Sequence, residues 1–202
     1  MSNNTSMDKT AQRGRNRERI LRAALQIISR QGVDKVTHRA VAGLANVSPG
    51  TTTYHFVSRE DMVREAFALY VSDFSQGLVS ALTQKPIVER SDLIAFLVQM
   101  TSIDPEMSEL SAIEQEMVLF SMRDEGTRMQ VAAWSRSLET WLSDPLERLG
   151  AAKPLEAARM LVAICRGSEY EVMSRRQAIS VDALKNRIDL VLTAILSSKT
   201  SV

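Results

Sequence analysis

The chain has 202 residues, 45% of them hydrophobic and 24% charged, with 25 Lys+Arg against 24 Asp+Glu. This is the mixture of a globular protein, and it excludes a chain too polar or too highly charged to fold. Eight glycines and five prolines are few for a fold of many turns and short strands, and a single cysteine, Cys165, cannot form an internal disulfide. The longest run without charge, Ala40 to Ser58, holds Gly43, Asn46, Pro49 and Gly50, so it does not read as a membrane-spanning helix. Met1 to Gln12 is polar throughout and lacks the apolar core of a signal peptide. A reducing, cytoplasmic setting and no membrane partner are the expectations.

The small total charge conceals an asymmetry. Residues 1–57 carry nine basic and three acidic residues, and residues 58–202 carry 16 basic and 21 acidic. A basic end on an acidic body is the footprint of a nucleic-acid contact confined to one part of the chain, although a solvated helix face has the same charge.

The basic segment has a shape that suits DNA. Residues 1–12 read as a mobile polar arm. From about Asn16, the positions Ile20, Ala24, Ile27 and Ile28 repeat at helical spacing, and Gly32 closes that helix. Thr37 is placed to cap a second helix carrying Val41 and Leu44, and Asn46 suits a sharp left-handed turn. Ser48-Pro49 then opens a third helix through Gly50, Thr51, Thr52, Thr53, Tyr54 and His55 to Phe56. Helix, tight turn, helix is the geometry that lays a second helix in the major groove. Three consecutive threonines are poor helix formers, so stability alone does not account for them. Their hydroxyls suit phosphates and base edges, and their methyls suit thymine.

These residues carry a resemblance. Thr37-x-x-x-Val41-Ala42-x-x-Ala45-Asn46-Val47-Ser48-Pro49-Gly50-Thr51, followed by Tyr54-His55-Phe56-x-Ser58-Arg59-Glu60-Asp61-Met62, resembles the signature of the TetR family of transcriptional regulators. The resemblance implies an all-α fold of about nine helices. A basic arm and three-helix DNA-binding head would occupy residues 1–57. A ligand-binding and dimerisation body would occupy 58–202, joined through a connecting helix over 58–83. It implies a homodimer on double-stranded, palindromic DNA, acting as a repressor released by a small molecule. Thr37 would cap helix two and touch phosphate, and His38 and Arg39 would lie near the DNA backbone. Ser48, Pro49, Gly50, Thr51 and Thr52 would approach the bases, with Thr53 beside them. Tyr54, His55 and Arg59 would hold phosphates, and Arg15 and Arg17 of the basic segment are further DNA-binding candidates. Phe56 and Met62 would belong to the head's core. Asn46 stands where the family usually has glycine, Thr52 and Thr53 where it has a larger apolar residue and a tyrosine, and Arg59 where it has lysine.

In the body, Met62, Ala66, Phe67, Tyr70, Phe74 and Leu78 keep helical spacing to about Thr83. Further helices read over 89–102, 105–123, 126–149, 153–176 and 181–198, with breaks at Asp104-Pro105, Gly126, Gly150 and Ile179-Ser180. Pocket candidates are the large side chains Phe67, Tyr70, Phe74, Phe96, Met100, Met117, Phe120, Trp134 and Trp141, each also suited to an ordinary core. Glu114, Gln115 and Glu116 interrupt an apolar helix and face either a ligand or water. Leu155, Met160, Leu161, Val162, Ile164 and Cys165, then Ile188, Val191, Leu192, Ile195 and Leu196, make the last two helices apolar over more than one face. That fits a dimer surface or burial within the subunit.

Catalysis has little support. Both histidines, His38 and His55, lie in the basic segment, and no phosphate-binding glycine loop is present. No catalytic residue, metal or cofactor is expected. The competing readings are a helical small-molecule binder or enzyme with an incidental basic end, and a DNA-binding regulator that answers to a partner protein.

Overall fold

A computed structural model describes residues 3–104 and 109–197, with side chains from Gln12 onward. Among these residues there are nine α-helices and no strand: α1 (Asn3–Gln31), α2 (His38–Ala45), α3 (Pro49–His55), α4 (Arg59–Gln84), α5 (Arg90–Met100), α6 (Glu109–Ser121), α7 (Glu125–Arg148), α8 (Pro154–Arg175) and α9 (Val181–Ser197). The all-α expectation holds. The expected arm does not, because the backbone is already helical from Asn3. Residues 105–108 and 198, expected to be helical, lie outside the described residues.

The chain forms two compact units that do not follow the expected boundary at residue 57. The first comprises residues up to Ser75 together with Ala112–Gln130, and the second Gln76–Ser111 with the chain from Val131 onward. The first unit therefore adds the opening turns of α4, most of α6 and the start of α7 to the head. Its core is Ile20, Ala24 and Ile28 of α1, Val41 and Ala42 of α2, Phe56, and Met62, Val63 and Phe67 of α4, all buried. Met117 and Phe120 of α6 complete it, with the Phe67 and Phe120 ring centroids 6.0 Å apart.

An ion pair holds α4 to the turn before α7. Arg64 Nη2 donates to Asp124 Oδ1 at 2.9 Å and Nε to Oδ2 at 3.2 Å. The same Oδ2 accepts the Thr127 N–H at 2.8 Å and its hydroxyl at 2.9 Å, so Asp124 also caps α7. A Cβ at residue 126 would stand 2.5 Å from Arg64 Nε, which accounts for Gly126 inside the first turn of α7 rather than at a break.

The second unit has an aliphatic core of Leu93 and Leu97 on α5, Leu142 and Leu146 on α7, Ala158 and Leu161 on α8, and Leu184, Ile188 and Leu192 on α9. The last two helices, expected to offer the dimer surface, give much of their apolar surface to this core. Leu161, Ile188, Leu192 and Ile195 are buried in their own subunit, and Val162, Ile164, Cys165, Val191 and Leu196 pack against that core. Leu155, Met160, Tyr170 and Leu190 are the large apolar side chains of α8 and α9 that remain exposed, with Val181 at the start of α9. Burial pushes the Cys165 thiol up to about 11, so it is an inert core group.

The Arg64 guanidinium holds the Asp124 carboxyl down at about 2, against an ordinary 3.8. The folded state thus binds this proton less readily than the unfolded chain. The resulting stabilisation, roughly 2 kcal/mol, is complete above pH 4 and is lost as pH falls from 4 towards 2. In urea titrations over that range, wild type is expected to lose this increment, whereas Asp124→Asn lacks it already at pH 7 and shows a flatter acid limb.

Candidate DNA-binding site

The site is built on the short turn between α2 and α3. Gly32, at φ 86°, ends α1 in a conformation that favours glycine, and a single 3-10 turn, Val33–Lys35, leads to α2. Thr37 caps α2 by accepting the Ala40 N–H at 3.1 Å. Asn46 adopts the left-handed conformation, φ 51° and ψ 51°, and Val47 N–H returns to the Ala42 carbonyl at 3.0 Å. Ser48 then caps α3, accepting the Thr51 N–H at 3.2 Å, with Pro49 at the first helical position. The sequence signals for both helix starts coincide with the caps.

Exposure divides the expected contacts. Ser48, Pro49, Gly50, Thr53 and Tyr54 form the open face of α3, and Arg39 is exposed on α2. Thr51 is partly buried and shares a hydrogen bond with Ser48 Oγ at 2.9 Å. Thr53 donates back to the Gly50 carbonyl at 3.1 Å. Tyr54 is 65% exposed, with the Arg13 guanidinium 4.9 Å from its ring centroid. His55 is partly buried, and burial together with Arg13 and Arg17 lowers its pKa below the ordinary 6.5.

Two expected DNA contacts are corrected. Thr52 is fully buried, and its hydroxyl donates to the Pro49 carbonyl at 2.7 Å, with the His38 carbonyl at 3.4 Å. It packs α3 against α2 and does not face outward. Arg59 donates from Nε to the Val36 carbonyl at 2.9 Å and from Nη2 to the Val33 carbonyl at 2.7 Å. Its guanidinium braces the 3-10 turn and also pairs with Glu60 at 3.1 Å and Asp34 at 3.5 Å, so it is engaged within the chain. His38 is half-buried, with Nδ1 enclosed and without a hydrogen-bond partner among the described residues.

The basic side chains of α1 are likewise divided. Arg15 is exposed and bonds Gln12. Arg17 is exposed, pairs with Glu65 and lies over the Phe56 ring. Arg19 donates to the carbonyls of Ala45 and Asn46, which pins the left-handed turn. Arg22 bonds Glu18 and Asp73. Arg19 as a brace and Arg13 as a partner of Tyr54 were not legible in the sequence, since both depend on contacts some 26 to 41 positions away.

Glu116 of α6 accepts the Val33 N–H at 3.0 Å, so the loop braced by Arg59 is also held from the other side. Glu114 accepts the Tyr70 hydroxyl at 2.6 Å. Neither carboxylate is simply solvated. The pocket candidates divide between the units: Phe67, Tyr70, Phe74, Met117 and Phe120 fall in the first, and Phe96, Met100, Trp134 and Trp141 in the second. A cavity of about 260 Å³ in the second unit is lined by Leu82, Pro86, Ile87, Trp141, Asp144, Pro145 and Arg148, and of the candidates it takes Trp141.

Comparison with known proteins agrees with this geometry. Residues 20–66 match the family described as bacterial regulatory proteins, tetR family, and residues 88–197 match the tetracyclin repressor-like C-terminal domain. The chain belongs to the TetR family of transcriptional regulators and carries its DNA-binding helix-turn-helix. It is similar to an HTH-type transcriptional regulator in the dhlA 5′ region of Xanthobacter autotrophicus, at 24% identity over 180 residues and 87% of each chain. Its fold is similar to a transcriptional regulator from Saccharomonospora viridis solved in complex with choline, at 20% identity and TM-score 0.78, covering 89% of this chain and 96% of the other. It is also similar to the multidrug binding protein EbrR solved with ethidium, at 22% identity and TM-score 0.66, covering 87% and 97%. Among the described residues no helix is long and apolar enough to cross a membrane.

Burial separates two kinds of threonine in α3. Thr52→Val is expected to destabilise the protein by ~1 kcal/mol in thermal melts, with its sequence preference on DNA unchanged. Thr53→Ala is expected to leave the melt unchanged and to weaken discrimination between base pairs in competition footprints by ~1 kcal/mol or more.

Proposed function

We propose that the chain is a homodimeric repressor that binds a palindromic double-stranded operator through α3 and leaves it when a small-molecule effector enters the body. The observation that carries this reading is the open face of α3. Ser48, Pro49, Gly50, Thr53 and Tyr54 face outward, with Arg13 over the Tyr54 ring and Arg15 and Arg39 exposed on α1 and α2, while Thr52 and Phe56 anchor the helix inward. The exposed hydroxyls suit base edges and phosphates, and the arginines supply the salt-dependent share of affinity. Arg39 positions the head on the duplex and carries no sequence information.

The partner copy has a narrower surface than the apolar composition of α8 and α9 suggests. Met160, Ala163, Gly167 and Tyr170 are exposed at helical spacing along α8, and Leu190 and Ala194 are exposed on α9. Small residues between larger apolar ones allow two helices to approach closely, and a two-fold axis through such a face matches a palindrome. The effector reading draws support from the relatives solved with choline and with ethidium.

The test is binding of the purified protein to its own upstream DNA over a salt series, beside an unrelated duplex of equal length. The expected result is a protected palindrome occupied by a dimer, with much weaker binding to the control. Arg39→Ala should weaken both duplexes alike and reduce the salt slope by about one for each head engaged. Equal weak binding to both duplexes would overturn the reading.

Protonation of His55 gives a second readout. Burial and two arginines depress its pKa in the free protein, and a phosphate placed beside it favours the charged form. Binding therefore takes up a proton, and affinity should rise as pH falls below 6.5. His55→Gln should abolish this pH dependence in fluorescence-anisotropy titrations.

A further inference from the structure

Two charged side chains of α8, Arg166 and Glu169, lie partly buried in the second unit. The guanidinium carbon of Arg166 on α8 stands 5.1 Å from the ring centroid of Trp134 on α7, and Trp134 is 3% exposed. Nη2 of Arg166 is enclosed and has no hydrogen-bond partner among the described residues. Three positions along α8, on the same face, lies Glu169. Its Oε1 accepts the Ser102 N–H at 2.9 Å, and its carboxyl is also bonded by the buried Ser111 hydroxyl. Burial raises the Glu169 carboxyl above its ordinary value, and the Ser102 amide, the Ser111 hydroxyl and Arg166 pull it only partly back. The acid that would ordinarily satisfy Arg166 is thus committed to two other donors.

A buried guanidinium nitrogen without an acceptor is costly, so the arrangement calls for an acceptor from outside the chain. A carboxylate suits it best, because its two oxygens match the planar fork of donors. A single negative charge balances Arg166, whereas a dianion would add repulsion from Glu169. The remainder of such a molecule would meet the indole of Trp134, which rewards a flat, apolar body. A cation is disfavoured, since Arg166 already occupies a face of the indole and would repel it.

We infer that the second unit binds an aromatic monocarboxylate, its carboxylate on Arg166 Nη2 and its ring beside Trp134. This deepens the effector reading above and rests on it only for the consequence to DNA, since binding is measured without DNA. It also separates this chain from the relatives solved with choline and with ethidium, both cations.

The experiment titrates the full-length protein with benzoate, phenylacetate and 2-naphthoate, and in parallel with neutral 2-naphthamide and with ethidium. The chain has two tryptophans, so in a Trp141→Phe background Trp134 is the sole indole reporter. Calorimetry gives affinity in the unmodified protein. The expected result is saturable quenching of Trp134 by at least one carboxylate, with 2-naphthamide and ethidium weaker by about tenfold or more. Arg166→Gln should lose a similar factor, and Arg166→Lys, which keeps the charge and loses the fork, should lose part of it. Failure of all three carboxylates to bind wild type overturns the inference. So does equal binding of the neutral amide, a comparison that needs no variant, or undiminished affinity in both Arg166 variants. A carboxylate that binds through Arg166 but leaves operator occupancy unchanged upholds the site and overturns the release reading instead.

Discussion

The geometry of the head depends on how one short loop is held. Between Gly32 and Thr37 the chain has a single 3-10 turn and few backbone partners of its own. Arg59 supplies donors to the Val33 and Val36 carbonyls, and Glu116 supplies an acceptor to the Val33 amide. One turn of backbone is thus satisfied from two helices remote in sequence, one offering a cation and the other an anion. Backbone groups left unpaired there would be costly, and the loop fixes where α2 begins. Because α2 carries the left-handed turn into α3, the direction of the reading helix follows from these side chains as much as from its own sequence.

The basic excess of the first 57 residues divides into two duties. Arg17, Arg19 and Arg22 bind carbonyls or carboxylates and act as struts, as does Arg59 just beyond them. Arg13, Arg15 and Arg39 remain outward. Net charge alone therefore overstates how many cations the DNA-facing surface presents. It also explains why arginine dominates over lysine here: a planar fork spans two acceptors at once, as Arg59 and Arg19 both do.

Local signals in the sequence were read well because their physics is local. Thr37, Asn46, Ser48 and Pro49 each set a cap or a turn through bonds within four or five residues, and each stands where the spacing put it. Thr52 departs from the expected DNA contact for a geometric reason. Three consecutive residues on a helix point 100° apart, so a run of threonines cannot all face one way. Arg59 resembled a phosphate ligand because nothing in the sequence places it against a loop more than twenty residues earlier. Glu116 lies 83 positions from its partner, and the polar run Glu114–Glu116 gave only a choice between ligand and water. The apolar surplus of α8 and α9 was real, but periodicity does not tell a partner's surface from the subunit's own core, and most of it went to the latter.

The lone thiol has a use that follows from its surroundings. Cys165 sits on α8, partly exposed and packed against aliphatic side chains, and burial holds its thiol up at about 11. Alkylation requires the thiolate, so modification is slow in the packed state and quickens when that packing opens. The second unit therefore contains its own timer: a maleimide reads out how often its helices part, with no label introduced and no competing sulfhydryl elsewhere in the chain.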